Sequence, residues 1–520
     1  TNARIHGSPG ADTLVAADDA RVRGRIAFVG RRDDATIPAG ARTIDARGQL
    51  LLPGFTDSHV HLLATGVAMR SVDLKAVPSV DEAVRRVADR VATATPGEWI
   101  TGDGWDQNDW PGAAFPTRHH LDRVAPGNPV LLNHASRHAV WVNTPALRAA
   151  GITAATPAPE GGAIDIGDDG EPSGILRDNA QRLVAAAMPR PTQAERIAAV
   201  EAAVAHAHAL GVTAVHAMNV GRGEFQALHA LNDARRLTLR VRAFLAHERL
   251  DEWIERGVAT GDGDAMFRIG GVKFFADGAL GSLTAWMFDP YASSGDCGFP
   301  LQPVPDLERD VRRALGHGLA PAIHAIGDRA NHETLDILER ARDLAPGLPR
   351  RIEHAQSLLD ADVARFASLG VAASVQPIHA TQDMHKVGRE LGGRATRSYS
   401  FASLLRAGAR LAFGSDTPVE TMDPLAGIHA AVTRRRADGT PPGGWLPEQR
   451  ISVSDAIAAY TAAPAAIAGD PPATLTPGAP ADVVLLTDDI TALADPMRML
   501  DARVRLTVVA GEVVYERTCA

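Results

Sequence analysis

The chain has 520 residues, of which 45% are hydrophobic and 22% charged, a composition typical of a globular protein with more than one core. Its formal net charge of −9 argues against a general nucleic-acid-binding protein, and no apolar run is long enough to cross a bilayer. Cys297 and Cys519 are its two cysteines, too few for a disulfide framework or a cysteine zinc site. We therefore expect a cytoplasmic protein whose metal would be held by His, Asp, Glu or a modified Lys.

Both ends of the chain have the pattern of short β-strands. Apolar segments at 25–29 and 41–45, and again at 481–486 and 504–511, are separated by Gly and Pro. Because the middle of the chain lacks this pattern, we predict that residues 1–56 and 475–520 pair into one composite β-sandwich domain.

The middle of the chain alternates between strand and helix patterns. Strands are predicted at 212–216, 271–275, 320–324, 351–354, 371–375 and 410–414, and helices at 79–94, 192–210, 306–317, 331–344 and 452–468. Alternation of this kind implies a parallel sheet, and the active sites of (β/α)8 barrels lie at the carboxyl ends of the strands. The sequence therefore predicts an α/β fold with a (β/α)8 TIM barrel built from residues 57–73 and 191–474.

The stretch between residues 74 and 190 does not fit the alternation. It is longer than βα units of roughly 30 residues require, and it is rich in Gly, Pro and Trp. Strand-like segments at 99–100 and 129–132 favour an ordered domain over a disordered loop. We predict that residues 74–190 form an inserted domain that caps the substrate at the barrel mouth.

A candidate metal site begins where an apolar strand, residues 51–61, ends in His59 and His61. Side chains two positions apart on a strand face the same side, so both imidazoles could reach one cation such as zinc. The chain contains 19 His, however, so an isolated His-x-His pair also arises by chance.

Lys273 lies inside an apolar strand, where a charged amine is costly. Burial favours the neutral amine, which can add carbon dioxide and become a carbamate able to bridge two cations. Taken alone, Lys273 could instead extend to the barrel mouth and pair with Asp277.

His324, His354 and Asp416 each follow a predicted strand. Individually, the two histidines could be structural and Asp416 could cap the next helix. Together with His59, His61 and Lys273 they occur at successive strand ends, which converge on one pocket in a barrel. Four histidines, a bridging carbamate and a carboxylate would form two metal sites with a position open for water.

The motifs that contain these residues resemble the amidohydrolase superfamily, and in particular its YtcJ-like branch, which is similar to N-substituted formamide deformylases. The resemblance rests on Pro53-Gly-Phe-x-Asp-x-His-x-His61, Val272-Lys-Phe-Phe-Ala-Asp-Gly-Ala-Leu-Gly-Ser282, His324-Ala-Ile-Gly-Asp328, Arg351-Ile-Glu-His-Ala-Gln356, Ser374-Val-Gln-Pro377 and Gly414-Ser-Asp-Thr-Pro-Val419. Gly104-Trp-Asp-Gln107 and Glu171-Pro-Ser-Gly-Ile-Leu-Arg177 add to it.

The resemblance implies one or two divalent metals, usually zinc. By position, His59, His61 and Asp416 would bind the more buried metal, His324 and His354 would bind the second, and Lys273, N6-carboxylated, would bridge two Zn²⁺ ions. A metal-bound hydroxide would then attack the carbonyl carbon of a small amide-like substrate and cleave its C–N bond. Asp416 would shuttle the proton to the leaving nitrogen.

Contacts with the substrate are predicted for His379, Trp105, His138 and Asp277, although Asp277 could simply order its glycine-rich turn. An esterase or lactonase on the same metal site remains open, as does a deaminase, which Lys273 argues against. A metal-binding regulatory protein without turnover is a third alternative. A homodimer is the common default for such proteins.

Overall fold

The computed structural model describes residues 1–19, 22–135, 139–159 and 161–517. The chain divides into two compact units, one formed by Thr1–Thr65 and Arg196–Ala520 and the other by Gly66–Glu195. Within the described part of the chain, none of the helices combines the length and the apolar character needed to span a membrane.

Eight parallel strands form the central sheet of the first unit. They are β1 (Phe55–Val60), β2 (Val212–Val220), β3 (Arg240–Ala246), β4 (Phe267–Phe275), β5 (Pro321–Ala325), β6 (Arg350–His354), β7 (Val371–Val375) and β8 (Leu411–Phe413). Each strand pairs with the next in chain order, and a bridge between Val60 and Thr417 joins β1 to the segment after β8. The prediction of a (β/α)8 barrel is confirmed.

Helices lie between successive strands along the chain. In this part of the chain they lie at Leu62–Arg70, Gln193–Ala209, Arg222–Asp233, Leu250–Glu255, Val304–Gly316, Asp328–Arg340, Asp360–Ser368, Pro377–Gln382, Met384–Leu391, Phe401–Arg406, Pro424–Thr433, Val453–Tyr460 and Ala462–Ala468. The helix predicted at 452–468 is two helices, because Thr461 between them has φ −127° and ψ −84°, which are not helical.

Strand β3 is absent from the sequence-based prediction. Arg240 and Arg242 near its start interrupt the apolar pattern by which the other strands are recognised. Their side chains are nevertheless mostly buried, because each forms an ion pair with an aspartate, Arg240 with Asp482 and Arg242 with Asp470.

Strands from the two ends of the chain pair in a single five-stranded sheet. Its order is Arg4–Ile5, Leu50–Pro53, Val483–Leu486, Val504–Val509 and Glu512–Glu516, and a separate hairpin is formed by Thr13–Asp19 and Val22–Gly30. The strand predicted at 41–45 is wrong: that segment is irregular and mostly exposed, and it pairs with no strand of the sheet, although Ile44 packs against the apolar core there.

The second unit, Gly66–Glu195, contains a six-stranded mixed sheet. The strand order is Gly162–Ile166, Pro172–Asp178, Ala139–Val142, Val130–His134, Ile100–Trp105 and Val72–Asp73. Helices in this unit lie at Val80–Val91, Arg118–Asp122, Thr144–Ala149 and Gln181–Ala185. Trp105, Trp110 and Trp141 are buried together in its apolar core.

Candidate metal centre and active site

Six polar side chains predicted as metal ligands occupy the carboxyl ends of five barrel strands or the residues just beyond them. They are His59 in β1, His61 directly after it, Lys273 in β4, His324 in β5, His354 at the end of β6 and Asp416 three residues after β8. Because parallel strands end at the same edge of the sheet, the barrel brings together residues that lie far apart in sequence.

Three of these side chains lie within metal-binding distance of one another. Ligand atoms of His59, His354 and Asp416 are all within 4.8 Å, and all three residues are buried. Asp416 Oδ1 lies 3.3 Å from His61 Nε2 and 3.5 Å from His59 Nε2. The ring of His324 is 4.5 Å from that of His354, so the four imidazoles form one continuous group.

Three imidazoles of this group, those of His59, His324 and His354, are held neutral. Burial, followed by the charge of Lys273, lowers the pKa of His59 to about 4 and that of His324 to about 3. Burial also lowers the pKa of His354 well below its usual value. Burial alone would raise the pKa of Asp416, but the nearby histidines hold it well below its ordinary range. Neutral imidazoles and an ionised carboxylate are the forms that bind metals.

Lys273 contributes a buried amine without a hydrogen-bonding partner. The residue is 1% exposed, and among the described residues its Nζ has no acceptor and lies 5.1 Å from the ring centre of Phe275. Burial lowers the pKa of this amine to about 8, although Glu353 and Asp416 act in the opposite direction. A buried amine without an acceptor costs free energy. Conversion of the amine into a carbamate that binds a metal would remove this cost. The donor set therefore fits divalent transition metals such as zinc.

Two of the candidate ligands have left-handed backbone conformations. His354 has φ 72° and Asp416 has φ 59°, in a region that non-glycine residues seldom occupy. Such strain persists only where the surroundings fix it, and it concentrates at functional sites. Here the left-handed backbone places the side chains of His354 and Asp416 beside His59.

Each buried imidazole uses its second nitrogen to contact the protein. His59 Nδ1 lies 2.7 Å from Glu353 Oε2, and His354 Nδ1 lies 2.7 Å from Gln376 Oε1. His324 Nε2 lies 2.9 Å from the carbonyl oxygen of Gly278. Because these oxygens accept hydrogen bonds, the opposite nitrogen of each ring is left without a proton and can bind a cation.

Glu353 belongs to a fully buried ion pair beneath the site. Its carboxylate accepts hydrogen bonds from Nε and Nη2 of Arg351, and neither side chain is more than 1% exposed. Arg351 also donates to His216 Nδ1 and to the carbonyl oxygen of Ser58. The Arg351 guanidinium therefore fixes Glu353, and Glu353 fixes the ring of His59.

The closure between β1 and the segment after β8 depends on Asp57 and Gly414. Asp57 Oδ1 accepts hydrogen bonds from the backbone N–H groups of His59 and Ser415. A Cβ atom on Gly414 would lie 2.6 Å from the backbone nitrogen of His59, so only glycine allows this approach. The backbone N–H of Asp416 in turn donates to the carbonyl oxygen of His59 at 2.7 Å.

Of the predicted substrate contacts, His379 lies beside the metal site. Its ring is parallel to that of His354, with centres 6.4 Å apart, and in the described part of the chain its Nε2 has no hydrogen-bonding partner. Asp277 is fully buried and accepts from the backbone N–H groups of Trp286, Ile326 and Gly327. Asp277 thus joins the loop after β4 to the segment after β5, and its Oδ1 also lies 3.5 Å from Nε2 of His324. Its contact with the substrate stays a prediction.

The two substrate contacts predicted in the second unit are placed less directly. Trp105 is fully buried, and its Nε1 donates to the carbonyl oxygen of Leu132 within that unit. The side chain thus packs in the core, and we do not assign it a substrate contact. His138 lies outside the described residues.

Sequence reasoning missed the supporting roles of Gln376 and Gly414. Gln376 follows β7 directly, at the level where the other strands end in candidate ligands, and this position is the signal that could have identified it. Gly414 begins the motif at 414–419, but its role follows only from how closely its backbone approaches that of His59.

The chain is similar to one protein family over most of its length. The model of the amidohydrolase family matches residues 42–515. A Bacillus subtilis (strain 168) protein named as an amidohydrolase, YtcJ, is 32% identical over 91% of this chain and 90% of its own length. The N-substituted formamide deformylase of Arthrobacter pascens is 28% identical over 95% of this chain and 94% of its own length.

A solved structure shows the same architecture. An uncharacterized metal-dependent hydrolase from Pyrococcus furiosus superposes with a TM-score of 0.78 and 29% sequence identity, covering 94% of this chain and 98% of that one. The family match over most of the chain and the shared barrel together identify the protein class. This chain belongs to the amidohydrolase family and is a metal-dependent hydrolase.

Proposed function

We propose that this hydrolase cleaves a C–N bond in a small amide-type substrate, with N-substituted formamides and N-acyl compounds as the first candidates. The observation that carries the proposal is the convergence of His59, His354 and Asp416 within 4.8 Å, beside the Lys273 amine. The similarity to a protein named N-substituted formamide deformylase supports the choice of bond.

The ligand set supports a centre of two zinc ions. His59 and His61 with Asp416 would hold one ion, and His324 with His354 would hold the second. The neutral Nζ of Lys273 would attack carbon dioxide and lose a proton, and the resulting carbamate would add an anionic ligand to this set. When bound, divalent cations lower the pKa of a coordinated water and polarise a substrate carbonyl.

Asp416 has the position and the ionisation state of a proton shuttle. Its pKa is well below the usual range, so the carboxylate is ionised near neutral pH and can accept a proton from the attacking water. The same carboxyl would then donate that proton to the leaving nitrogen. His379, whose Nε2 lies without a partner among the described residues, would donate a hydrogen bond to the substrate carbonyl oxygen.

The test measures zinc content and hydrolysis of N-substituted formamides, N-acyl amino acids and p-nitrophenyl esters by the same preparations. We expect zinc-dependent release of amine from an amide-type substrate. Asp416→Asn should retain the fold and lower kcat by roughly 10²–10⁴-fold, the usual contribution of general acid–base catalysis. Asp306→Asn, which changes an exposed aspartate on the helix at Val304–Gly316, is the matched control.

The same panel, extended by an aminated ring compound, separates the alternatives. Turnover of esters without turnover of amides would favour an esterase or lactonase, and release of ammonia from an aminated ring would favour a deaminase. Full activity of Asp416→Asn, with zinc bound, would refute the proposed shuttle. Cytoplasmic location and a homodimer stay predictions, which fractionation and sedimentation can test.

A further inference from the structure

A cavity lies at the end of the barrel opposite to the candidate metal ligands, at the amino ends of β1 to β4. This basal cavity has a volume of about 180 Å³, and it is lined by the first residues of these strands and by the segment around Asp470 and Asp482. Four arginines and two aspartates face it, so its lining carries a formal charge of +2. The charged residues are Arg25, Arg240, Arg242, Arg268, Asp470 and Asp482.

The arginines are incompletely neutralised. Arg240 forms a two-point contact with Asp482, through Nε at 2.5 Å and Nη2 at 2.9 Å. Arg242 Nε and Arg268 Nη1 share the single carboxylate of Asp470, at 2.5 Å and 3.1 Å. One of these two guanidinium groups therefore lacks an opposite charge, and Arg25 donates to a neutral carbonyl oxygen, that of Gly478.

Hydrogen-bond donors at the same place lack acceptors. Arg242 is 9% exposed, and within the described chain neither its Nη1 nor the Nε of Arg268 has a partner. His216, which also lines the cavity, accepts a hydrogen bond from Arg351 at Nδ1, so its other ring nitrogen carries a hydrogen. Buried donors without acceptors are costly, and ion pairing for stability alone would not require them.

We propose that the basal cavity binds a small oxyanion, either phosphate or a carboxylate, held by Arg242 and Arg268. Guanidinium groups present several N–H donors in a plane, an arrangement that matches phosphate and carboxylate oxygens. The volume exceeds that of several water molecules, so such an ion fits. The positive lining excludes cations, and the position at the start of the strands separates the site from the metal ligands at their ends.

Calorimetric titration of the zinc-loaded protein with inorganic phosphate, and separately with acetate, tests the proposal at constant ionic strength set by chloride. The two ions distinguish a tetrahedral from a planar oxyanion. We expect Arg242→Met to weaken binding at least tenfold. Asp470→Asn should strengthen binding severalfold, because it removes the carboxylate that competes for both arginines, and a gain of binding cannot result from partial unfolding. Arg313→Met, in an exposed ion pair with Asp251, should leave binding unchanged.

The variant His61→Ala, which alters a half-buried candidate metal ligand, distinguishes anion binding at the zinc ions from anion binding in the basal cavity. Anion binding that survives in His61→Ala and falls in Arg242→Met supports the basal site. Binding that is lost in His61→Ala and kept in Arg242→Met would overturn the proposal, as would no binding of either anion. Equal affinity in Asp470→Asn and the unaltered protein would also count against it.

Discussion

The buried pair of Arg351 and Glu353 allows a prediction whose size follows from the structure. In Glu353→Gln the side chain keeps its shape but loses its charge, and the amide NH₂ would face either the guanidinium or the His59 Nδ1–H. Breaking one partner of a buried ion pair costs about 3–5 kcal/mol, because the remaining charge stays uncompensated. Loss of a group that orients a metal-binding histidine lowers metal affinity by about 10–100-fold.

Two measurements separate these effects. The free energy of unfolding of the metal-free protein comes from urea denaturation, and zinc affinity comes from competition with a chelator. The matched control is Glu308→Gln, because Glu308 also contacts an arginine through two atoms, yet this pair with Arg340 is partly exposed. Exposed pairs contribute about 0–1 kcal/mol, so this variant should be nearly unchanged in both measurements.

A double variant, Arg351→Met with Glu353→Leu, distinguishes charge burial from histidine orientation. Removing both charges should restore much of the stability of the metal-free protein, since apolar replacements of buried pairs are often neutral. Zinc affinity should stay low, because the oxygen that accepts from His59 is gone. The reasoning is refuted if Glu353→Gln unfolds within about 1 kcal/mol of the unaltered protein and binds zinc equally well.

Three further predictions address single residues. Lys273→Ala should lower the zinc content measured by mass spectrometry, and added short carboxylates should partly restore it; full zinc content without additives would contradict the bridging role. Gly414→Ala should lower thermal stability and zinc affinity together, because the added Cβ would lie 2.6 Å from the His59 nitrogen, whereas the exposed Gly347→Ala should not. Burial lowers the pKa of His429 to about 4, so the unfolded chain takes up a proton first as the pH falls. The contribution of this group to the free energy of unfolding is complete above about pH 6.5, and roughly 3 kcal/mol of it is lost between pH 6.5 and pH 4. In urea denaturation, the free energy of unfolding of His429→Leu should therefore fall by that much less over the same interval.

The barrel strands with apolar sequences were predictable, because burial between helices and the barrel interior requires apolar residues on successive positions. Strand β3 was not, because Arg240 and Arg242 are stabilised there by Asp470 and Asp482, more than 220 residues away. No local pattern reports such a pairing. The same limit explains the wrong strand at 41–45, where local propensity was not matched by a partner to pair with.

The candidate site shows a similar division. His59, His61 and Asp416 could be singled out because their residue types suit a metal and they follow strands. The functions of Gln376 and Gly414 depend on distances to other strands, so sequence position alone could not reveal them. Asp277 is an intermediate case. Its place in the motif was visible, but only the structure shows that its carboxylate accepts from three backbone N–H groups and lies near Nε2 of His324.

The polar contacts in the barrel interior link its two ends. Burial, then Arg351 and then Arg242 lower the pKa of His216. His216 accepts a hydrogen bond from Arg351, and Arg351 fixes the Glu353 carboxylate that contacts His59. An interior built from charges is less stable than one built from apolar layers, unless each charge is matched. The site residues at the carboxyl ends and the arginines at the amino ends therefore belong to one electrostatic system. An anion that neutralises Arg242 would reduce the repulsion among the buried cations. A metal bound by neutral His59 would keep the hydrogen bond from His59 Nδ1 to Glu353 in place. Both ligands would therefore stabilise the folded barrel.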